Sequence, residues 1–370
     1  MSELLRTSEP ATADEEAVAT ALAAFIARGN AEDASFDALA RRLFGYQYAR
    51  NEPYRRFCQS QGVTPETVGH WSAIPPAPAA AFKRFPLSCT PPANAARLFR
   101  SSGTTGRAAS RHYLSVAALR LYDQSLREGF RRFVLPDGAR LPIWGLMPPP
   151  EAAPESSLSY MLGSLMAADP GRDHRFFWSD AGPDVPALQA ALRALTEPVI
   201  LFGTAFAWVL FFDAGGGHLS LPPGSRLLET GGFKGRSRAV SREELYALFR
   251  ERLGLPATHC LAEYGMCELC SQFYDATLID HFQGQPDTPR KVGPPWSRTR
   301  VIDPRTGREV PPGETGILVH YDLANLNSVL AVATEDLGRR LEEGFELLGR
   351  APGAELRGCS LTVEEWQARA

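Results

Sequence analysis

The run from Phe99 to Gly106 has the composition of a loop that binds phosphate groups. Glycine adopts positive φ readily and lets the backbone approach a ligand, and successive backbone N–H groups and hydroxyls offer hydrogen-bond donors to an anion. The run lacks the Gly-Lys-Ser/Thr ending of a Walker A loop, which argues against a kinase or GTPase core. It therefore predicts a polyphosphate site, and an ordinary surface turn is the alternative. The residues of the predicted site are Ser101, Ser102, Gly103, Thr104, Thr105 and Gly106.

Four later segments carry residue types that suit nucleotide and acyl chemistry. They are a glycine-rich turn with a lysine, an aromatic residue four positions before a carboxylate, an acidic turn, and a stretch with arginines and a cysteine near the C-terminus. Each one alone also fits a plain loop, a half-buried aromatic, a turn former or a small apolar residue. Any mechanism that needs a lysine has few candidates, because lysine occurs only at Lys83, Lys234 and Lys291. The segments are 230–236, 263–268, 334–338 and 349–360.

The six cysteines lie at scattered positions, and the N-terminus shows no basic segment followed by an apolar one that would mark an export signal. We therefore expect reduced thiols and a cytoplasmic protein. Cys260, Cys267 and Cys270, preceded by His259, could supply the nitrogen and sulfur ligands that zinc prefers. Their spacing matches no standard zinc finger, so small buried core residues are the main interpretation.

Composition and charge exclude several classes of protein. The net charge is −3 and no cluster of basic residues is present, so no nucleic-acid partner is expected. The apolar stretch over 199–212 is too short to span a bilayer, so no membrane association is expected either. A chain of 370 residues, 44% of them hydrophobic, can bury a large core in about two domains or in one layered domain.

Helix and strand patterns alternate along most of the chain. Apolar spacing predicts helices over 12–28, 35–60, 116–133, 188–195 and 242–253, with Ser115 as the N-cap of the third. Short apolar runs predict strands over 141–146, 198–202, 226–228, 258–261, 299–302 and 316–320. The alternation favours an α/β architecture with a mainly parallel sheet and ligands at the carboxyl ends of its strands. The last third, richer in strands and turns, predicts a smaller β-rich subdomain.

In this order, the segments resemble those of the adenylate-forming superfamily of acyl-CoA synthetases, adenylation domains and luciferases, and nearly the whole chain resembles the LuxE-type acyl-protein synthetases. The resemblance implies layered α/β subdomains and a smaller β-rich subdomain, like the large N-terminal domain of these enzymes without their full C-terminal domain. The large domain would span 1–348, with a helical part over 1–70, an α/β core over 71–290 and a β-rich part over 291–348, before a short tail over 349–370. The narrower resemblance also includes Phe44-Gly45-Tyr46-Gln47, Asn51-Glu52-Pro53-Tyr54, 74–83, Ser110-Arg111-His112, Leu201 to Phe206, Ser271-Gln272-Phe273-Tyr274, 322–338 and Arg357-Gly358-Cys359-Ser360.

The resemblance implies that the chain activates a fatty or aromatic carboxylic acid with ATP and Mg²⁺, giving acyl-AMP and pyrophosphate. By analogy, the loop over 101–106 holds the β- and γ-phosphates and Glu268 binds Mg²⁺. His112 would lie beside the substrate carboxylate, and a surface histidine next to Arg111 is the alternative. Adenine and ribose would be bound by Gly231, Gly232, Phe233, Tyr264, Gly265, Asp336 and Arg350, and the acyl group would lie near Phe202, Gly203, Thr204 and Phe206.

The chain differs from the larger family in the lysine residues that could assist catalysis. Only a short tail follows Arg350, and it contains no lysine to match the one that bridges carboxylate and α-phosphate in the C-terminal domain of the larger family. Lys234, inside the glycine-rich turn, is the hypothesised substitute, and Lys83 is the second candidate.

Cys359 resembles the cysteine that carries the acyl group as a thioester in LuxE-type proteins before a reductase partner receives it. Because AMP is a good leaving group, an accessible and partly ionised thiol suffices, and Arg350 or Arg357 would lower its pKa. A structural cysteine is the alternative. Other acyl acceptors stay open: CoA, as in an acyl- or aryl-CoA ligase, a carrier protein, or an amine. A nucleotide-binding subunit without turnover is the alternative that is not an enzyme.

Overall fold

The computed structural model describes residues 11–30, 32–101, 109–231, 240–286 and 288–351. The chain forms two compact units. Unit 1 comprises residues 1–129, 266–272 and 290–370, and unit 2 comprises residues 130–265 and 273–289. The predicted division into a large domain and a short tail stays a prediction.

Four helices of the described residues, over 13–28, 116–134, 185–193 and 242–253, lie near predicted positions, whereas those over 81–84, 157–168, 205–213 and 277–283 were not predicted. The capping box of Ser241 and Glu244 starts the helix over 242–253, and a left-handed Gly254 ends it. The helices are α1 (Ala13–Arg28), α2 (Asp33–Arg50), α3 (Glu52–Ser60), α4 (Ala81–Arg84), α5 (Val116–Val134), α6 (Ser157–Ala168), α7 (Val185–Arg193), α8 (Ala205–Asp213), α9 (Arg242–Leu253) and α10 (Thr277–Gln283).

The strands are short, as expected from their short apolar runs. They are β1 (Ala77–Pro78), β2 (Arg97–Arg100), β3 (Arg111–Leu114), β4 (Ile143–Leu146), β5 (Arg175–Phe176), β6 (Trp178–Ser179), β7 (Gly182–Pro183), β8 (Ile200–Thr204), β9 (Arg226–Thr230), β10 (Cys260–Tyr264), β11 (Phe273–Asp275), β12 (Lys291–Val292), β13 (Ser297–Ile302), β14 (Thr315–Asp322), β15 (Ala331–Arg340) and β16 (Phe345–Arg350).

Unit 1 is built on an antiparallel sheet in the order β13-β14-β15-β16-β12, with β1 pairing in parallel with β15. A separate hairpin joins β2 to β3. The turn between β14 and β15, over 323–330, is buried and is bound by side chains of α2. The side-chain NH₂ of Gln47 donates to the Asn325 and Leu326 carbonyls at 2.7 and 3.2 Å. The side-chain oxygen of Gln47 accepts from the backbone N–H of Leu330 at 2.7 Å.

Unit 2 contains a sheet in the order β11-β10-β9-β8-β4-β5, in which all pairs are parallel except that of β10 with β11. An apolar cluster that includes Trp208, Phe211, Phe212 and Phe249 forms its core. Because the strands run in parallel, their carboxyl ends meet at one edge, which is where such sheets bind ligands.

Two sequence predictions about the fold are corrected. The predicted helix over 35–60 is two helices, because Asn51 ends α2 and caps α3 by accepting from the backbone of Tyr54 at 3.2 Å, with Pro53 in the first turn. The mainly parallel sheet is correct for unit 2 and wrong for unit 1. There β15 and β16 are joined by only 341–344, and a turn this short can connect antiparallel strands but not parallel ones.

In the part of the chain that the structure describes, no helix is both long enough and apolar enough to cross a membrane.

Candidate functional site

The predicted phosphate loop connects the two strands of the β2–β3 hairpin. At its ends, the backbone N–H of Ser101 donates to the Ser110 carbonyl at 3.2 Å, and the backbone N–H of Ser110 donates to the Ser101 hydroxyl at 2.9 Å. The hairpin therefore fixes both ends of the connection. The remaining residues of the predicted loop lie outside the described residues: Ser102, Gly103, Thr104, Thr105 and Gly106.

His112 lies on β3 and is fully buried, so the alternative of a surface histidine is wrong. Its Nδ1 is 2.7 Å from the Cys267 carbonyl oxygen, and its Nε2 is 3.1 Å from Oδ1 of Asn325. The ring of Phe82 packs against it edge-on, with 5.9 Å between centroids. Side chains alternate along a strand, so Arg111 points to the other face of the hairpin. The sequence alone could not decide which of the two residues faces inward.

Burial lowers the pKa of His112 to about 4, because a charged ring loses its hydration. The neutral ring carries one proton. If this proton is on Nδ1 and is donated to the Cys267 carbonyl, Nε2 carries no proton. Nε2 and Oδ1 of Asn325 are then two acceptors that face each other. Only the doubly protonated ring satisfies both oxygens. A negative charge beside the ring, such as a substrate carboxylate, would favour this form.

Glu268 is a buried carboxylate, 6% exposed, on the turn that follows β10 in the chain. Burial raises its pKa, the nearby Glu335 raises it further, and the Ser110 hydroxyl and Lys83 act in the opposite direction. The Lys83 Nζ is also 3.8 Å from Oε1 of Glu335. A buried carboxylate that lacks full compensation for its charge fits a divalent cation, and Mg²⁺ commonly uses one or two carboxylates together with substrate phosphates and water. The residue therefore fits its predicted role.

Asp336 and Arg350, both predicted to contact ribose, are brought together in unit 1. They are opposite each other across β15 and β16, and the Arg350 Nε is 3.8 Å from Oδ1 of Asp336. The arginine side chain is 77% exposed and that of the aspartate 14%. The carboxylate is therefore held in a partly buried position, where it can accept hydrogen bonds from hydroxyl groups.

In unit 2, the carboxyl ends of three parallel strands carry predicted binding residues. Thr204 is opposite Thr230, which is opposite Glu263, and the Thr230 hydroxyl donates to the Glu263 carboxylate. Gly231 follows β9 with φ of 73°, a conformation that favours glycine. Tyr264 ends β10, followed by Gly265, and its ring lies 5.9 Å from that of Phe273. Gly232, Phe233 and Lys234 lie outside the described residues.

The predicted acyl-binding residues differ in exposure. Phe202 is fully buried, and Phe206 is half-buried on α8. Thr204 caps α8 by accepting from the backbone of Ala207 at 3.1 Å. A Cβ added at Gly203 would lie 3.0 Å from the Trp208 Nε1. On this face the space beside the glycine is filled by the tryptophan.

The three clustered cysteines are buried, and burial raises the pKa of each thiol, that of Cys260 to about 12. Within the described ranges, no group of three or more His, Cys, Asp or Glu residues is placed to hold a metal ion, so the zinc alternative for Cys260, Cys267 and Cys270 gains no support. Cys359 lies outside the described residues.

The comparison with known families identifies the chain. The family model described as acyl-protein synthetase, LuxE, matches residues 32–367. The chain belongs to this family. As a member of the LuxE family it is an ATP-dependent ligase, as the sequence predicted.

Two relatives of the LuxE-family chain are long-chain-fatty-acid–luciferin-component ligases. That of Vibrio harveyi is 24% identical over 345 residues, which cover 88% of this chain and 86% of the relative. That of Aliivibrio fischeri is 23% identical over 345 residues, covering 88% of this chain and 87% of the relative.

A solved structure of an adenylate-forming CoA ligase shares the fold. A 2-hydroxyisobutyryl-CoA ligase in complex with its acyl-adenylate and CoA matches 88% of this chain and 77% of its own, with a TM-score of 0.61 and 14% identity. ATP-bound MatB from Rhodopseudomonas palustris has a TM-score of 0.49 and 17% identity, and the LuxE-family chain spans about half of its length, 49%. The first likeness confirms the predicted fold class, a mixed α/β fold similar to the large domain of these enzymes.

Proposed function

We propose that the chain uses ATP and Mg²⁺ to activate a carboxylic acid as acyl-AMP and then transfers the acyl group to the thiol of Cys359. In the first step a carboxylate oxygen attacks the α-phosphorus, the bond to the β-phosphate oxygen breaks, and pyrophosphate leaves. In the second step the thiolate attacks the acyl carbon, the bond to AMP breaks, and the thiol proton passes to solvent. The products are a thioester, AMP and pyrophosphate.

The observation that carries the proposal is the position of Glu268 beside the β2–β3 hairpin, whose two strands the predicted phosphate loop connects. The Cys267 carbonyl, one residue before Glu268, lies 2.7 Å from Nδ1 of His112 on β3, so Glu268 is held beside the hairpin whose Ser101 and Ser110 bound the predicted loop. A carboxylate beside the end of a phosphate loop is suited to hold Mg²⁺ against the phosphates, where the cation would neutralise their charge. His112, on the same hairpin, offers a ring that is stabilised as a cation when an anion lies beside it.

The acid is proposed to be a long-chain fatty acid, because both relatives are named for such acids. Aromatic acids are the second class to test. Asp336, Arg350, Gly231 and Tyr264 are proposed to contact the nucleoside, and half-buried Phe206 is proposed to contact the acyl group. The acceptor after Cys359 is proposed to be a reductase.

The test is intact-protein mass spectrometry after incubation with ATP, Mg²⁺ and single fatty or aromatic acids. We expect a mass gain equal to the acyl group that hydroxylamine removes and that Cys359→Ala abolishes. The control is Cys89→Ala, because Cys89 is a half-buried thiol whose pKa burial raises, and this variant should keep the adduct.

Other outcomes would contradict the proposal in distinct ways. No adduct, but AMP release on addition of CoA, a carrier protein or an amine, would assign a ligase with an external acceptor. If no acid caused release of pyrophosphate, the chain would be assigned as a nucleotide-binding subunit without turnover.

A further inference from the structure

One buried side chain connects the two segments that carry His112 and Glu268. Asn325 is fully buried in the turn over 323–330. Its Oδ1 lies 3.1 Å from the His112 Nε2, and its Nδ2 donates to the Glu268 carbonyl at 2.9 Å. His112 belongs to β3 and Glu268 to the turn over 266–269, so a single amide bridges segments far apart in sequence.

The orientation of this amide is set by its partners. The Glu268 carbonyl can only accept a hydrogen bond, so the NH₂ group must face it and Oδ1 must face the His112 ring. The Cys270 thiol, 3.9 Å from the same Oδ1, is a further donor that agrees with this orientation. The His112 ring therefore has an oxygen at each nitrogen, Oδ1 of Asn325 and the Cys267 carbonyl, and these two contacts fix its plane.

The backbone of Asn325 is held as firmly as its side chain. Its N–H donates to the Asp322 carbonyl at 3.1 Å, and its carbonyl accepts from the Gln47 amide at 2.7 Å. Gln47 is itself fully buried and belongs to the Phe44–Gln47 motif, which the proposed function leaves without a role. Through Asn325, this motif reaches the ring of His112.

We propose that Asn325 is a positioning residue for adenylation, which holds the His112 ring and the Glu268 backbone in one fixed arrangement. The proposal rests on the proposed function, since His112 and Glu268 are its acid-binding and Mg²⁺-binding residues. Groups that orient such residues commonly contribute about 10- to 100-fold to activity.

The same turn offers a matched control. Asn327 is also fully buried, and its amide donates to the Ser88 hydroxyl and the Tyr113 carbonyl, each at 3.0 Å, while its oxygen accepts from Thr90. These hydrogen bonds involve neither His112 nor Glu268. Asn327→Leu should therefore destabilise the turn as Asn325→Leu does, without loosening the ring.

The experiment measures acid-dependent exchange of pyrophosphate into ATP, together with thermal unfolding, for Asn325→Leu, Asn325→Asp and Asn327→Leu. We expect Asn325→Leu to lower kcat about 10- to 100-fold with little change in the KM for ATP. Asn325→Asp keeps an acceptor for the ring and loses the donor to Glu268, so its kcat should lie between those of wild type and Asn325→Leu. Asn327→Leu should lower the unfolding temperature and leave kcat unchanged.

A spectroscopic measurement separates positioning from general damage. In ¹⁵N-histidine-labelled protein, the Nε2 resonance of His112 should move in Asn325→Leu, which removes the oxygen beside it, and in Asn325→Asp, whose carboxylate favours a proton on Nε2, and it should stay in place in Asn327→Leu. Equal losses of kcat in Asn325→Leu and Asn327→Leu, or an Nε2 resonance unaffected by Asn325→Leu, would overturn the proposal. Failure of the proposed function would show differently, as a wild-type protein without exchange for any acid, while the resonance would still report the bridge.

Discussion

Each unit of the chain contains a distinct buried cluster, a network of polar side chains in unit 1 and an aromatic cluster in unit 2. Unit 1 buries hydrogen-bonded polar groups, among them Gln47, His112, Glu268, Asp322 and Asn325. Unit 2 has an aromatic core in which Trp208 packs against Phe211 and Phe249, with ring centroids 5.9 and 6.2 Å apart.

The difference shows what each unit contributes. A buried polar group destabilises the fold unless each partner is correctly placed, so the network of unit 1 specifies orientation. Apolar packing depends on volume and is less directional, so the core of unit 2 contributes mainly to stability. Substitutions in the network should therefore change the chemistry, and substitutions in the aromatic core should change the free energy of unfolding.

The largest expected effect is that of Trp208→Ala on the stability of unit 2. The side chain is fully buried, and its Nε1 has no hydrogen-bond partner among the described residues, so the substitution removes packing alone. We expect the free energy of unfolding to fall by about 3–5 kcal/mol, measured by denaturant titration. Trp178→Ala is the control, because Trp178 is 36% exposed, and it should change stability little. A loss for Trp208→Ala as small as that of the control would show that the aromatic cluster does not stabilise unit 2.

Much of the fold follows from local patterns that the sequence displays. The helix over 242–253 was predicted with its observed bounds, and Ser115 caps α5 as predicted, accepting from the backbone of Ala118 at 3.1 Å. These features depend on neighbours within one turn of chain. The antiparallel sheet of unit 1 pairs strands that follow one another in the chain, from β13 to β16, and apolar runs alone do not encode the direction of pairing.

The hydrogen bonds that connect the candidate site residues could not be predicted from the sequence. The resemblance identified His112 and Glu268 as site residues, but it gave no role to Asn325, which lies in a segment noted only as part of the resemblance. Asparagine is common in turns because its side chain forms hydrogen bonds with the nearby backbone. Nothing in the sequence therefore indicated that Asn325 is buried. The filled space beside Gly203 was equally hidden, since the tryptophan that fills it is on the following helix.

A second prediction concerns the pH dependence of unit 1. Burial lowers the pKa of His112 from 6.5 to about 4, so the unfolded chain binds a proton there at a higher pH than the folded chain. The associated stability is fully present above pH ~6.5 and is lost as the pH falls toward ~4. The difference corresponds to about 3 kcal/mol. His320, whose pKa burial lowers to about 3, acts in the same direction.

The measurement is the free energy of unfolding at several pH values between 7 and 4.5 for wild type and His112→Gln. The variant should lose less stability on acidification than the wild type. His281→Gln is the control from unit 2, because His281 is exposed, and it should follow the wild-type curve. Parallel curves for wild type and His112→Gln would contradict the lowered pKa.

The smallest of the three effects concerns which lysine supplies the cation that we propose to assist adenylation. Lys83 of unit 1 is 3.8 Å from the Glu335 carboxylate and also acts on Glu268, so much of its charge is already compensated. Lys234 belongs to the glycine-rich turn of unit 2, outside the described residues, and remains the hypothesised cation. We expect Lys234→Met to slow acid-dependent pyrophosphate exchange about 10- to 100-fold, or about 1–3 kcal/mol, and Lys83→Met to slow it less. Lys234→Arg keeps the charge and should retain most of the rate. Unchanged exchange in Lys234→Met would reject the hypothesis, and a larger loss in Lys83→Met would assign the cation to unit 1, beside the carboxylate proposed to hold Mg²⁺.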